Sequence, residues 1–77
     1  MNLVYSSTTY HVIEYPEHNG FELINKVERR ETFLTGVTAQ KFRASIRQVF
    51  EDSPTEDSVD GFISNFDALM LQPVYTH

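Results

Sequence analysis

The spacing of apolar residues changes at Gly36, and this change constrains the fold more than any other feature of the sequence. Before Gly36, short runs rich in β-branched and aromatic residues alternate with polar segments, which is typical of strands and turns. After Gly36, apolar residues recur every three or four positions, which is typical of amphipathic helices. The sequence therefore predicts an α+β fold in which an antiparallel sheet precedes helices.

The first half of the chain predicts a β-meander of three to four strands. The runs that suit strands are Leu3–Tyr5, Tyr10–Tyr15, Phe21–Val27 and Glu31–Thr35. Four polar residues separate the first two runs, so these runs should form a hairpin. A proline and an Asn-Gly pair in Pro16–Gly20 predict the next reversal, and the charged residues Glu28–Arg30 predict another. The fourth run follows so many charges that a helical turn is the alternative there.

The second half predicts two helices in the order β-β-β-β-α-α. The first should run from Thr38, which is suited to be its N-cap, to about Asp52. Ser53, Pro54 and Glu56 then match the start of a second helix, with a capping serine, proline at the first helical position and glutamate three residues after the cap. This helix should end near Met70. A link so short requires the helices to pack antiparallel, on one face of the sheet.

The length of the chain favours a single domain. With 77 residues, one core must serve the whole chain. We expect residues 1–36 to form the meander, residues 37–71 the helical hairpin and residues 72–77 an extended tail. A core of this size gives marginal stability, and the absence of cysteine excludes a disulfide that would add to it.

Apolar residues that are consecutive within the strands indicate a surface that the helices leave open. Such pairs or triplets occur in each predicted strand: Leu3, Val4 and Tyr5; Val12 and Ile13; Leu23 and Ile24; Phe33 and Leu34. Neighbouring side chains of a strand point to opposite faces, so both faces of the sheet carry apolar groups. The sequence predicts a homodimer in which a second copy covers the open face. The alternative is a monomer whose tail and tyrosine rings fold over that face.

Charge is segregated along the sequence. The net charge is −5, which disfavours non-specific binding to nucleic acid or anionic lipid. All six basic residues lie between positions 26 and 47, and we call them the basic band: Lys26, Arg29, Arg30, Lys41, Arg43 and Arg47. From Gln48 onward there are six acids and no base. The basic band is a candidate interaction surface, either for nucleic acid or for acidic groups of this or another chain.

The sequence offers no constellation typical of catalysis or of cofactor binding. His11, His18 and His77 lack the spacing of metal ligands. The acidic segment Glu51–Asp57 has a proline and no glycine where a calcium loop needs its ligands and its turn. No nucleophile motif or phosphate-binding glycine loop occurs. We therefore expect no enzyme, no metal and no cofactor, and the absence of a signal peptide or a long apolar run predicts a soluble cytoplasmic protein.

Four segments resemble a family of short bacterial proteins catalogued only as a domain of unknown function. They are Met1–Tyr5, Arg29–Gly36, Ala39–Arg43 and the tail Asp67–His77, of which the tail is the most specific. The segment between Tyr15 and Phe21 is shorter than the glycine-rich loop of such proteins, which suggests a spacer. The resemblance covers essentially the whole chain. It implies a stand-alone bacterial cytoplasmic protein without an established activity, and no catalytic residue follows from it.

These observations predict a small protein-interaction or regulatory module. It should associate with itself, contact another protein through its charged surfaces, and bind no membrane. The alternative is a nucleic-acid-associated regulator that uses the basic band of residues 26–47. Gln72, Pro73 and His77 in the distinctive tail are further interaction candidates, although a tail that docks only for stability would have the same sequence.

Overall fold

The structure of the protein, a computed structural model, describes residues 1–71 and the side chains of residues 1–68. Its elements are β1 (Asn2–Ser6), β2 (Tyr10–Tyr15), β3 (Gly20–Asn25), β4 (Arg30–Thr35), α1 (Gly36–Asp52) and α2 (Glu56–Leu71). The four strands form one antiparallel sheet in chain order. The predicted α+β architecture is confirmed, including the fourth strand. The tail predicted for residues 72–77 lies outside the described residues.

Two of the turns between strands contain a residue in the left-handed conformation. Pro16–His18 form a short 3-10 helix, and Asn19 then adopts the left-handed conformation with φ of 48°, which asparagine tolerates better than most residues. At the next turn Arg29 has φ of 55°. Strand β3 ends at Asn25, two residues earlier than predicted, because the Asn25 side chain accepts a hydrogen bond of 2.9 Å from the Glu28 backbone N–H and so begins the turn.

A β-bulge in β1 places two residues of the apolar triplet Leu3–Tyr5 on the same face of the sheet. Leu3 pairs with Ile13 and Tyr5 pairs with Val12, so Val4 is an extra residue in the register. Val4 and Tyr5 consequently both pack against the core beneath the helices. Only Leu3 of the triplet faces the other side of the sheet.

The two helices cross the same face of the sheet in opposite directions. Helix α1 follows directly on β4 and reaches β1 near its end, where the Phe50 ring centroid lies 6.2 Å from that of Tyr5. Helix α2 returns, since Asp60 accepts a hydrogen bond of 2.8 Å from the Tyr5 hydroxyl and Asp67 contacts Arg30 at the start of β4. The helices are therefore antiparallel, as the short link requires.

The core is centred on Phe42 of α1, which is fully buried. Its ring centroid lies 5.0 Å from that of Phe21 in the sheet, and 5.7 Å and 5.1 Å from those of Phe62 and Phe66 in α2. The Phe42 ring thus links α1 both to the sheet and to α2. Aromatic clusters at such distances contribute both buried area and favourable edge contacts.

Both helices begin at residues other than those predicted. Helix α1 starts at Gly36 with Thr35 as its N-cap, not at Thr38. The prediction of Ser53 as the cap of α2 is wrong, because the Ser53 N–H still donates to Val49 and completes the last turn of α1. The chain reverses within residues 53–55, and Thr55 is the residue whose hydroxyl accepts from the Ser58 N–H at 3.1 Å.

Candidate functional site

The face of the sheet opposite the helices is the principal candidate for a functional surface, and we call it the uncovered face. Strand register places these residues on it: Leu3, His11, Ile13, Tyr15, Glu22, Ile24, Glu31, Phe33 and Thr35. Leu3 is 63% exposed and Phe33 is 50% exposed. The consecutive apolar residues of the strands thus place apolar groups on both faces, as predicted.

One row of side chains runs across all four strands of the uncovered face. Leu3 pairs with Ile13, Ile13 with Glu22, and Glu22 with Phe33. Three of the four residues are apolar, so the row forms an apolar strip with one carboxylate in it. The pairs in such a row lie close enough for their side chains to pack.

An aromatic pair covers the carboxylate of this row. The Tyr15 hydroxyl donates a hydrogen bond of 2.8 Å to Glu22 Oε1, and the Tyr15 ring lies 5.5 Å from the Phe33 ring. Gly20 between them leaves room for this arrangement, because a Cβ there would come within 3.1 Å of the Phe33 ring. The bond to Glu22, with partial burial, raises the pKa of Tyr15. The protonated Tyr15 hydroxyl, which donates to Glu22, is therefore favoured over the phenolate.

Two histidines can be placed, and they lie far apart. His11 is on the uncovered face in β2, whereas His18 is in the 3-10 helix beyond the opposite end of that strand. Within residues 1–71, no three side chains of the metal-binding types are grouped closely enough to hold an ion. His11 Nδ1 is buried and has no hydrogen-bond partner among the described residues.

The structure divides the basic band between the two ends of the sheet. Lys26, Arg29 and Arg30 lie at the β3–β4 turn. Arg43 lies beyond the other end of β3, where its Nη1 donates to Asn19 Oδ1 at 3.3 Å. A strand of this length spans about 20 Å, so these residues do not form one patch.

Two of the basic residues are engaged in ion pairs. Arg30 Nη2 lies 2.6 Å from Asp67 Oδ2, and Arg30 Nη1 lies 2.6 Å from Glu28 Oε2. The hydrogen bond to Asp67 is the main reason why the pKa of Arg30 is raised. Arg43 Nη2 lies 3.1 Å from Glu14 Oε2.

The remaining interaction candidates differ in their placement. Lys26, Arg29, Lys41 and Arg47 are exposed, whereas Gln72, Pro73 and His77 lie outside the described residues.

Sequence reasoning missed the role of Asp67. Its side chain is 4% exposed and also accepts a hydrogen bond of 3.0 Å from the Thr32 hydroxyl. The signal was present, because Asp67 follows Ile63 by four residues and so interrupts the apolar stripe of α2. A carboxylate on such a stripe indicates a buried partner.

The fold and its uncovered face define a small α+β protein, a four-stranded meander with a helical hairpin on one side, and within residues 1–71 neither helix is long and apolar enough to cross a membrane. The chain belongs to the family described as protein of unknown function DUF3567, which matches residues 1–77. It is 36% identical over 85 residues to Protein BTH_I0359 of Burkholderia thailandensis, with 100% of each chain covered. The predicted resemblance to a bacterial family of unknown function is confirmed. No solved structure matches the chain.

Proposed function

We propose that the protein is a non-catalytic interaction module of the bacterial cytoplasm, and that its uncovered face is where two copies associate. The observation that carries this proposal is the apolar strip on that face, which has the exposed residues Leu3 and Phe33 at its two ends. Contiguous apolar surface on a small protein is a common mark of an interface. Covering it would remove these side chains from water and contribute to stability.

A second copy suits this face for two physical reasons. A two-layer domain of 77 residues has little core, and packing two sheets face to face would add a third and a fourth layer. A twofold axis parallel to the strands would place Leu3 of one copy over Phe33 of the other. That arrangement also keeps the two Glu22 carboxylates from stacking on each other.

The solution mass tests this proposal. Light scattering on a sizing column should give twice the 8.9 kDa of one chain, equally at low and high salt, because an apolar interface responds little to ionic strength. The double substitution Leu3→Lys and Phe33→Lys should give the monomer mass. Ala44→Lys is the matched control, since Ala44 is an exposed residue of α1 on the other side of the molecule, and it should stay dimeric. A wild-type monomer at every accessible concentration would contradict the proposal.

Contacts with a further protein would use the charged surfaces that remain outside the dimer. Lys26 and Arg29 are exposed at the β3–β4 turn, and Glu56 and Asp57 are exposed in the first turn of α2. Opposite charges on separate parts of a small surface favour an oriented encounter with a charged partner.

The proposed location in the bacterial cytoplasm has its own test. Fractionation of cells that express the tagged chain should recover it in the cytoplasmic fraction.

The nucleic-acid alternative has less support. The basic band is divided between two ends of the sheet, two of its arginines are paired with carboxylates, and the chain carries a net charge of −5. Binding of a labelled oligonucleotide can be measured at increasing salt. An affinity that falls steeply with salt, and that is lost in Lys26→Glu with Arg29→Glu, would favour the alternative, because phosphate contacts release counterions.

A further inference from the structure

A groove between α1 and the sheet, on the helix side of the molecule, combines an apolar floor with a cationic rim. Its volume is about 220 Å³. The floor consists of Val4, Phe21, Ile46 and Phe50, while Arg43 and Arg47 of α1 form the rim with Glu14 of β2. The groove is therefore net positive in a chain whose net charge is −5, and it is separate from the uncovered face.

The Arg43 guanidinium is held in place by three neighbours. It bonds Glu14 at 3.1 Å and Asn19 at 3.3 Å, and its central carbon lies 5.1 Å from the Phe21 ring centroid. A guanidinium has five N–H donors, and these two bonds leave others available. An arginine held in this way loses little side-chain entropy when it binds a further acceptor.

Arg47 gives the rim its second cation. It follows Arg43 by four residues, so the two side chains lie on the same face of α1. Arg47 is exposed and takes part in no ion pair within residues 1–71. Two cations at this spacing repel each other, and the single carboxylate of Glu14 offsets only one of them. An anion between them would relieve this repulsion.

We propose that this groove binds a small carboxylic acid with an apolar body. The carboxylate would lie between Arg43 and Arg47, and the apolar body would lie against Val4 and Phe50, the two partly exposed apolar residues of the floor. The volume is below that of pockets for drug-sized ligands, so a free acid of the size of 3-phenylpropionate suits it. Two arginines suit a carboxylate because a guanidinium presents parallel donors to its two oxygens.

Titration of the isotope-labelled full chain with 3-phenylpropionate, followed by amide chemical shifts, tests the proposal. Saturable shifts are expected at Val4, Phe21 and Arg47. The neutral 3-phenylpropanamide and the short acid propionate should each bind at least about tenfold more weakly, since each lacks one half of the recognition. Arg47→Gln should weaken binding of the acid by about tenfold. Lys41→Gln, which removes an exposed cation elsewhere on α1, should leave it unchanged.

Three results would overturn the proposal. The first is the absence of saturable shifts at millimolar acid, and the second is equal binding of acid and amide. The third is an equal effect of Arg47→Gln and Lys41→Gln, because that would indicate attraction by overall charge and not a site. Both substituted residues are exposed, so both variants should fold like the wild type. Their spectra without ligand show whether they do.

Discussion

Both faces of the sheet carry apolar side chains, but only one of the two faces packs on the helices. On the covered face Val12, Phe21, Leu23 and Leu34 are each no more than 2% exposed, and they pack on the helices. On the uncovered face comparable side chains remain partly exposed, as at Phe33. Apolar character alone therefore does not determine stability. The covered face should supply most of the folding free energy, whereas the uncovered face is available for association.

The largest expected effect is a difference between two phenylalanines. Phe42→Ala should lower the free energy of unfolding by about 3–5 kcal/mol, because it leaves a cavity where three aromatic rings meet. Phe33→Ala should cost about 1 kcal/mol or less, since half of that side chain is already in water. Urea unfolding at low protein concentration measures both. Equal losses would show that the uncovered face contributes as much to the monomer as the covered one.

A smaller loss is expected at the polar contact that joins the covered face to α2. Asp67→Asn should cost about 2 kcal/mol, below the range for a fully buried ion pair because the Arg30 side chain is 34% exposed. The matched control is Asp57→Asn, an exposed carboxylate of the same helix, which should change stability by about 0.5 kcal/mol or less. If the two variants were equally stable, the contact between Asp67 and Arg30 would be of no consequence for folding.

Local sequence patterns predict the elements of the fold well, because each depends on neighbouring residues. The change of period at Gly36, the apolar spacing around Phe42 and the proline-containing turn at Pro16 are of this kind. These patterns predict the four strands, both helices and the β2–β3 turn. The same reasoning shows that both sheet faces carry apolar groups.

Features that depend on residues distant in sequence could not be predicted in this way. The pairing of Arg30 with Asp67 spans 37 positions, so no local pattern contains it. The division of the basic band arises because one strand separates Arg30 from Arg43. The misplaced cap of α2 has a local cause instead: the Ser53 N–H completes the last turn of α1, so the Thr55 hydroxyl accepts from the first turn of α2.

Each face of the sheet has a tyrosine whose hydroxyl donates to a carboxylate. Tyr5 on the covered face donates to Asp60 Oδ1 at 2.8 Å, and Tyr15 on the uncovered face donates to Glu22 Oε1 at 2.8 Å. Burial, followed by the bond to Asp60, raises the pKa of Tyr5 from 10.0 to about 12. The pKa of Tyr15 is also raised, with the bond to Glu22 as the main cause.

The smallest expected effect is therefore a dependence of stability on alkaline pH. Because the pKa of Tyr5 is higher in the folded chain than in the unfolded chain, its contribution is complete below pH 10 and is lost as pH rises toward 12. In Tyr5→Phe, the free energy of unfolding should therefore depend less on pH between pH 10 and pH 12. The ultraviolet absorbance of tyrosinate separates the two faces further. Four tyrosines contribute to this absorbance, so the titration of Tyr15 is taken as the difference between Tyr5→Phe and the double variant Tyr5→Phe with Tyr15→Phe. If a second copy covers Tyr15, this difference should move to higher pH as protein concentration rises. The corresponding difference for Tyr5, between Tyr15→Phe and the same double variant, should not. A Tyr15 titration independent of concentration would show that this ring lies outside any interface between copies.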